Sequence, residues 1–213
     1  AESRGQDVLR VGHGAGADLR ITGQRFDATG QDLRLDWMGQ AHQVRLSLIG
    51  GFQADNVALA AGLAIGAGDD PARVLAALPQ LTGVRGRMQL AATRTNCAAV
   101  FVDYAHTPDA LATALRALRP HVLGRIVVVF GAGGDRDTSK RPLMGKAAAD
   151  HADVLFVTDD NPRSEDPATI RAAILATCPG ASEVGDRAEA ILRGADALGP
   201  GDALLVAGKG HES

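Results

Sequence analysis

The residues best suited to chemistry lie at Asp159–Arg163, where two carboxylates, a carboxamide and a guanidinium follow one another. They come directly after Val154–Val157, whose length and β-rich composition are typical of a strand buried on both faces. Asn161-Pro162 favours a turn, and Asp166-Pro167 is typical of the N-cap and first residue of a helix. The segment is therefore predicted to be a loop at the carboxyl end of a parallel strand, where open α/β sheets bind their ligands.

The side chains of this loop suit a ligand that carries both an amine and a carboxylate. Arg163 offers a planar fork for a carboxylate, while Asp160 and Asn161 can bind an amine and its neighbours. Ordinary turn chemistry also accounts for Asp-Asn-Pro, so this loop does not identify a site by itself.

A second polar loop, Asp103–Pro108, follows the predicted strand Ala98–Val102. Thr107 and Pro108 are interpreted as the N-cap and first residue of a helix. Asp103, Tyr104 and His106 are not required by that turn. Their carboxylate, ring and imidazole can bind sugar hydroxyls, a base or a phosphate.

Two glycine-containing loops complete the pattern. Gly131–Asp137 follows the predicted strand Ile126–Phe130 and partly matches a dinucleotide fingerprint, but Arg136 stands where the third glycine is needed. Gly208–Glu212 follows Ala203–Val206, and such a glycine run often serves only the turn. Because loops at the carboxyl ends of parallel strands share one edge, one common site is the simpler interpretation.

The hydrophobic pattern changes near residue 92. Before it, period-two alternation predicts antiparallel strands, and two helices are expected to follow them. After it, strands and helices alternate, which predicts an α/β fold with a wound, mainly parallel sheet. Further strands are predicted at Leu19–Thr22, Leu33–Trp37 and Val44–Leu48. Further helices are predicted at Ala54–Ala67, Pro71–Leu78, Pro108–Arg119 and Pro142–His151. One more helix is expected to begin at Pro167, and another to follow the capping box Asp186-x-x-Glu189.

Composition narrows the class of protein. The chain has 213 residues, is 46% hydrophobic and carries a net charge of -3, so it can bury a core and shows no bias toward nucleic acid. Cys97 and Cys178 lack the spacing of a metal site or disulfide framework. No apolar stretch approaches the roughly 18 residues of a membrane span, and the first residues do not resemble a signal peptide. A cytoplasmic protein without membrane or metal sites of its own is expected.

Five ordered motifs together resemble the Mur ligases of peptidoglycan synthesis, in particular those that add meso-diaminopimelate. The resemblance extends over roughly residues 48 to 213. The motifs are D-Y-A-H-T-P (103–108), G-G-D-R-D-T-S-K-R-P (133–142), D-D-N-P-R (159–163), G-D-R-A-E-A-I (185–191) and G-K-G-H-E (208–212).

The resemblance assigns roles to particular positions. It implies that five residues bind the nucleotide: Asn56, Arg87, Asp103, Tyr104 and His106. It implies that seven hold diaminopimelate: Arg136, Asp160, Asn161, Pro162, Arg163, Gly208 and Glu212. No residue matches a covalent nucleophile, and no catalytic residue is assigned.

The resemblance also implies an activity. ATP, with Mg²⁺, would phosphorylate the D-glutamate carboxylate of UDP-N-acetylmuramoyl-L-alanyl-D-glutamate, and the amine of diaminopimelate would attack the acyl phosphate. A monomer is expected. The chain is read as the later part of the central ATPase domain (1–92) followed by most of the Rossmann-like C-terminal domain (93–213), ending before the family's last residues.

One departure from the family leaves other interpretations open. Nothing in the chain matches G-x-x-x-x-G-K-[ST], the loop that cradles ATP phosphates, so the chain by itself is expected to be inactive. A non-catalytic amino-acid-binding module is one alternative. A folylpolyglutamate or cyanophycin synthetase is a second, although D-D-N-P-R and G-K-G-H-E argue against it. A nicotinamide-dependent oxidoreductase would need the intact glycine fingerprint.

Overall fold

The computed structural model describes residues 7–210. Two compact units divide the chain between Gly83 and Val84. Among the described residues, no helix is both long and apolar enough to cross a membrane.

The first unit consists of a four-stranded sheet covered by helices. Its strands, in spatial order, are β1 (Val11–Gly12), β2 (Leu19–Asp27), β3 (Gly30–Trp37) and β4 (Gln40–Leu46). The helices α1 (Phe52–Gly66) and α2 (Pro71–Ala77) follow, and a 3-10 turn spans Leu78–Gln80. The predicted alternation is confirmed, since Leu33, Leu35, Val44 and Leu46 are buried in one core with the small residues of α1.

The second unit contains a six-stranded sheet in the spatial order β5-β6-β10-β7-β8-β9. Its strands are β5 (Gln89–Thr93), β6 (Ala99–Asp103), β7 (Ile126–Phe130), β8 (Val154–Val157), β9 (Ser182–Glu183) and β10 (Ala203–Ala207). Only β5 runs antiparallel to its neighbour among the described strands of this sheet. The predicted wound, mainly parallel sheet is therefore confirmed.

Helices on both faces bury this sheet. They are α3 (Pro108–Leu118), α4 (Lys140–His151), α5 (Pro167–Leu175) and α6 (Arg187–Asp196), with a 3-10 turn at Arg119–His121. Val127, Val129 and Leu204 share a core with Ala190 of α6. Because side chains alternate along a strand, Ile126, Val128 and Phe130 face the opposite side, where α3, α4 and α5 pack side by side.

Two boundaries differ from those expected. Residues 84–92 belong to the second unit, whereas the sequence pattern grouped them with the first, because β5 pairs with β6. Helix α4 begins at Lys140 and not at Pro142. Proline is tolerated there because backbone N–H groups in the first turn of a helix have no partner within the helix.

Candidate functional site

A cleft of about 610 Å³ lies at the carboxyl edge of the second unit's sheet. Four loops form it, namely those that follow β6, β7, β8 and β10. Its lining residues are Tyr104, His106, Thr107, Gly131, Ala132, Gly133, Arg136, Asp137, Lys140, Asp160, Asn161, Arg163 and Gly208. The expected convergence of these loops on one edge is therefore observed.

The helix caps that set the direction of these loops are those expected from the sequence. Thr107 accepts a hydrogen bond from the backbone N–H of Ala110 at 3.3 Å, at the start of α3. Asp166 caps α5 through the N–H of Thr169 at 3.0 Å, and Asp186 caps α6 through the N–H of Glu189 at 2.8 Å. Each cap ends a loop and fixes where the helix begins.

The expected diaminopimelate-binding residues differ in their exposure to the cleft. Arg136, Asn161 and Arg163 are exposed and line it, as does Gly208. Asp160 also lines it, but its side chain is only 14% exposed and lies 3.6 Å from Nζ of Lys209. The cleft thus presents guanidinium groups beside a carboxylate that is already close to an ammonium.

Pro162 and Glu212 are the two remaining residues of that set. Pro162 is absent from the cleft lining, and its carbonyl oxygen accepts a hydrogen bond from the N–H of Glu165 at 3.0 Å. That bond closes the turn which carries Arg163. Glu212 lies outside the described residues.

The two consecutive aspartates at the end of β8 have different surroundings. Asp159 forms an ion pair with Arg171, and Arg171 also bonds Glu183 at 2.7 Å. Arg187 donates to the backbone oxygen of Asp159 at 3.4 Å and to that of Ala207 at 2.6 Å. Asp159 therefore anchors the loop, whereas Asp160 faces the cleft.

Three of the expected nucleotide-binding residues cluster beside the cleft. The rings of Tyr104 and His106 lie 4.6 Å apart, and the guanidinium carbon of Arg87 is 5.3 Å from the centre of the Tyr104 ring. His106 Nδ1 donates to the carbonyl oxygen of Tyr104 at 2.9 Å. A cation and two rings placed in this way suit an aromatic or anionic group.

Asp103 has a structural role in this cluster. Its side chain is buried, and it accepts hydrogen bonds from the N–H groups of Met88 and Ala105, both at 2.8 Å. Gly86 lies two residues before Met88, with φ of 69°, and a Cβ there would come within 2.0 Å of the oxygen of Gly210. The segment 86–88, which contains Arg87, is therefore bonded to the end of β6 and lies close to Gly210.

Asn56 lies in the first unit, on the exposed surface of α1. Its Nδ2 donates to Oε1 of Gln53 at 3.3 Å. Its expected contact with a nucleotide stays a prediction, as do the roles of the other expected site residues.

Several residues that line or support the cleft were not predicted from the sequence. Lys140 and Asp137 line the cleft, and Nζ of Lys140 donates to the backbone oxygen of His106 at 3.3 Å. Arg141 is buried and pairs with Glu165 at 2.7 Å. The basic run Lys140-Arg141 before Pro142 is the signal that the sequence offers, but it does not indicate that Arg141 is buried.

Hydrogen bonds hold the carboxylates around these loops in their ionised form. The Arg141 guanidinium, followed by the N–H of Asp135, lowers the pKa of Glu165. The hydroxyl and N–H of Ser164 lower the pKa of Asp135. Within the described part of the chain, no three His, Cys, Asp or Glu side chains lie close enough to hold a metal ion.

The fold and the cleft define a class of protein, namely an α/β domain with a charged cleft at the carboxyl edge of a mainly parallel sheet. A family model for the Mur ligase, glutamate ligase domain matches residues 86–210. The chain belongs to this family.

The curated relatives carry the name UDP-N-acetylmuramoyl-L-alanyl-D-glutamate–2,6-diaminopimelate ligase. One from Bradyrhizobium diazoefficiens is 54% identical over 216 residues, which cover 100% of this chain and 44% of the relative. Another from Caulobacter vibrioides is 53% identical over 212 residues, which cover 100% of this chain and 43% of the relative. The chain thus spans less than half the length of these relatives.

Solved structures agree with the fold. A structure of a UDP-N-acetylmuramoyl-L-alanyl-D-glutamate–2,6-diaminopimelate ligase is 38% identical, has a TM-score of 0.74, and the match covers 93% of this chain and 41% of that one. Mycobacterium tuberculosis folylpolyglutamate synthase complexed with ADP is 20% identical, with a TM-score of 0.70 and coverage of 91% and 46%. The second likeness is one of fold alone.

Proposed function

We propose that this chain forms the amino-acid-binding part of an ATP-dependent ligase that adds meso-diaminopimelate to UDP-N-acetylmuramoyl-L-alanyl-D-glutamate. The observation that carries the proposal is the placement of Arg136, Arg163 and Asp160 in one cleft of a chain 54% identical to a relative of that name. A zwitterion with two carboxylates requires this mixture of cations and an anion.

The distal end of diaminopimelate distinguishes it from lysine, because diaminopimelate carries a carboxylate there. Arg163 is proposed to bind that carboxylate through the donors that its bond to Gly134 leaves available. Arg136 supplies a second guanidinium, and Asn161 adds a carboxamide. Asp160, Glu212 and the carbonyl of Gly208 are proposed to hold the distal ammonium.

ATP is proposed to contact Arg87, Tyr104 and His106, with Asn56 at the adenine and Asp103 near the ribose and phosphates. Magnesium is proposed to bind chiefly to the ATP phosphates, since the described residues bring together no group of three His, Cys, Asp or Glu side chains that could hold it alone. No step proposed for this chain depends on the metal. The phosphate-cradling loop is likewise not part of this sequence.

The reaction proposed for the complete ligase is amide formation through an acyl phosphate. The acceptor carboxylate is phosphorylated, the amine nitrogen of diaminopimelate attacks the acyl carbon, and phosphate leaves as the amide forms. The residues of this chain are proposed to hold the carboxylate and the ammonium at the distal end of the amino acid, which fixes the direction of the attacking amine at its other end. Such positioning lowers the entropic cost of a bimolecular step. The complete ligase is proposed to act in the cytoplasm as a monomer.

The test is release of ADP by the full-length ligase that contains this chain. Release should require both diaminopimelate and the UDP-linked acceptor, and lysine should replace diaminopimelate poorly. The isolated 213-residue chain is the matched control and should release no ADP. ADP release without dependence on diaminopimelate would overturn the proposed function. Binding of diaminopimelate without turnover by the full-length protein would favour a non-catalytic binding module.

A further inference from the structure

One side chain, that of Glu165, connects the two loops that carry Arg136 and Arg163. Its Oε1 accepts a hydrogen bond from the N–H of Asp135 at 2.6 Å. Its two oxygens also accept from Nη2 of Arg141, at 2.7 and 2.8 Å. We call these contacts the Glu165 bridge. They join the loop after β7, the loop after β8 and the first turn of α4.

The bridge contains a buried charge. The side chain of Arg141 is only 4% exposed, while that of Glu165 is 27% exposed. Nε of Arg141 has no hydrogen-bond partner among the described residues. A buried ion pair adds little net stability compared with apolar side chains of similar size, because both charges lose their hydration. Stability alone is therefore a poor explanation for a guanidinium at this position.

The backbone at Arg163 needs support from its surroundings. Its φ is 53°, in the left-handed region that side chains other than glycine rarely adopt. Such a conformation persists where neighbouring contacts fix it. Here Glu165 N–H bonds Pro162 at 3.0 Å on one side of the turn.

The loop after β7 provides the opposing contacts. The hydroxyl of Ser164 donates to Asp135 at 2.7 Å, and the N–H of Gly134 donates to the oxygen of Asn161 at 2.8 Å. Nη1 of Arg163 donates to the oxygen of Gly134. The direction of the Arg163 side chain therefore depends on how closely the two loops pair, and the Glu165 bridge is their link to a rigid helix.

We propose that Glu165 and Arg141 are positioning residues for the amino acid, which hold the two loops in register so that Arg163 and Arg136 face the same bound carboxylate group. Neither residue lines the cleft. This inference rests on the proposed function and adds to it two residues that act through others. The lowered pKa of Glu165 keeps the bridge ionised at neutral pH.

The first experiment compares Michaelis constants in the full-length ligase. Glu165→Ala should raise the KM for diaminopimelate about tenfold, since it removes a charge-assisted pair and frees the loops. The KM for ATP and for the UDP-linked acceptor should change less than about twofold. Glu165→Gln keeps an acceptor oxygen but not the charge, so it should raise that KM by a smaller factor, about three- to fivefold. The control is Asp150→Ala, which removes an exposed ion pair with Lys146 on the same helix and should change nothing.

The second experiment separates positioning from general support of the fold. In an Arg163→Ala background, Glu165→Ala should raise the KM for diaminopimelate by about threefold or less, because one of the two guanidinium groups that it positions is already absent. A tenfold effect in both backgrounds, or an equal rise in the KM for ATP, would overturn the inference. If Glu165→Ala does not fold, the same comparison is made with Glu165→Gln, whose smaller effect on the KM must also decrease when Arg163 is absent.

The two proposals fail in different ways. A wild-type ligase without diaminopimelate-dependent ADP release overturns the proposed function and the positioning role together. A wild-type ligase with that activity, in which Glu165 variants have the wild-type KM for diaminopimelate, overturns the positioning role alone.

Discussion

Replacing Arg163 is the sharpest test of the proposed preference for diaminopimelate over lysine. The guanidinium donates to the oxygen of Gly134 through Nη1, which leaves its other donors available for a carboxylate in the cleft. The lysine side chain in Arg163→Lys has a single ammonium and lacks the planar fork, so it cannot keep both the bond to Gly134 and the bond to the carboxylate. A lost charge-assisted hydrogen bond costs about 1.5 to 3 kcal/mol, which corresponds to a decrease of roughly 10- to 150-fold in kcat/KM for diaminopimelate.

The assay is steady-state kinetics of the full-length ligase with diaminopimelate and with lysine as the amino acid. Lysine lacks the distal carboxylate, so its kcat/KM should decrease much less in Arg163→Lys and Arg163→Ala. Equal decreases for the two amino acids would show that Arg163 supports the loop and does not contact the substrate.

Arg163→Gly is the matched control for the backbone. Glycine adopts the positive φ of this position without steric cost, whereas alanine does not. The glycine variant should therefore be more stable than the alanine variant by about 1 kcal/mol in thermal unfolding. The kcat/KM for diaminopimelate should decrease to the same extent in both variants. A glycine variant that kept its kcat/KM would refute the role of the side chain.

Three further predictions concern single residues. Asp202→Asn should lower the free energy of unfolding by about 1 to 3 kcal/mol near neutral pH, because burial opposes ionisation but the hydrogen bonds from Arg125 and Gly199 lower the pKa of Asp202. The difference in unfolding free energy between Asp202→Asn and the wild type should disappear in acid denaturation series as the pH falls below about 4 and through that lowered pKa. The control is Asp196→Asn, which removes an exposed ion pair with Arg94 and should change the free energy of unfolding by less than about 1 kcal/mol. Gly134→Ala should lower the free energy of unfolding by about 1 to 3 kcal/mol and raise the KM for diaminopimelate, because its Cβ would come within 1.9 Å of the Pro162 oxygen. Its control is Gly180→Ala, where a Cβ meets open space and thermal unfolding should not change. Asn56→Ala should raise the KM for ATP by about tenfold or less and leave that for diaminopimelate unchanged, and an unchanged KM for ATP would contradict its assignment.

The local elements, and the edge of the sheet where the polar residues meet, could be predicted from the sequence. Val154–Val157 forms the strand β8 as predicted, and Asp166 caps the helix that follows the loop. Apolar runs and helix caps depend on residues that are close together in the chain, so the sequence alone predicts these features. Once the strands are parallel, their loops must share an edge, so convergence of the four loops also followed from the sequence.

Which polar side chains face the cleft, and which support it, depends on how the elements pack and could not be predicted from the sequence. Asp159 and Asp160 are adjacent and chemically identical, yet one is an anchor for Arg171 and the other lines the cleft. Arg141 meets Glu165, 24 residues later in the chain, only because α4 and the loop after β8 are neighbours in space. Pairings of this kind depend on which elements pack together, and the chain carries no local pattern that specifies them.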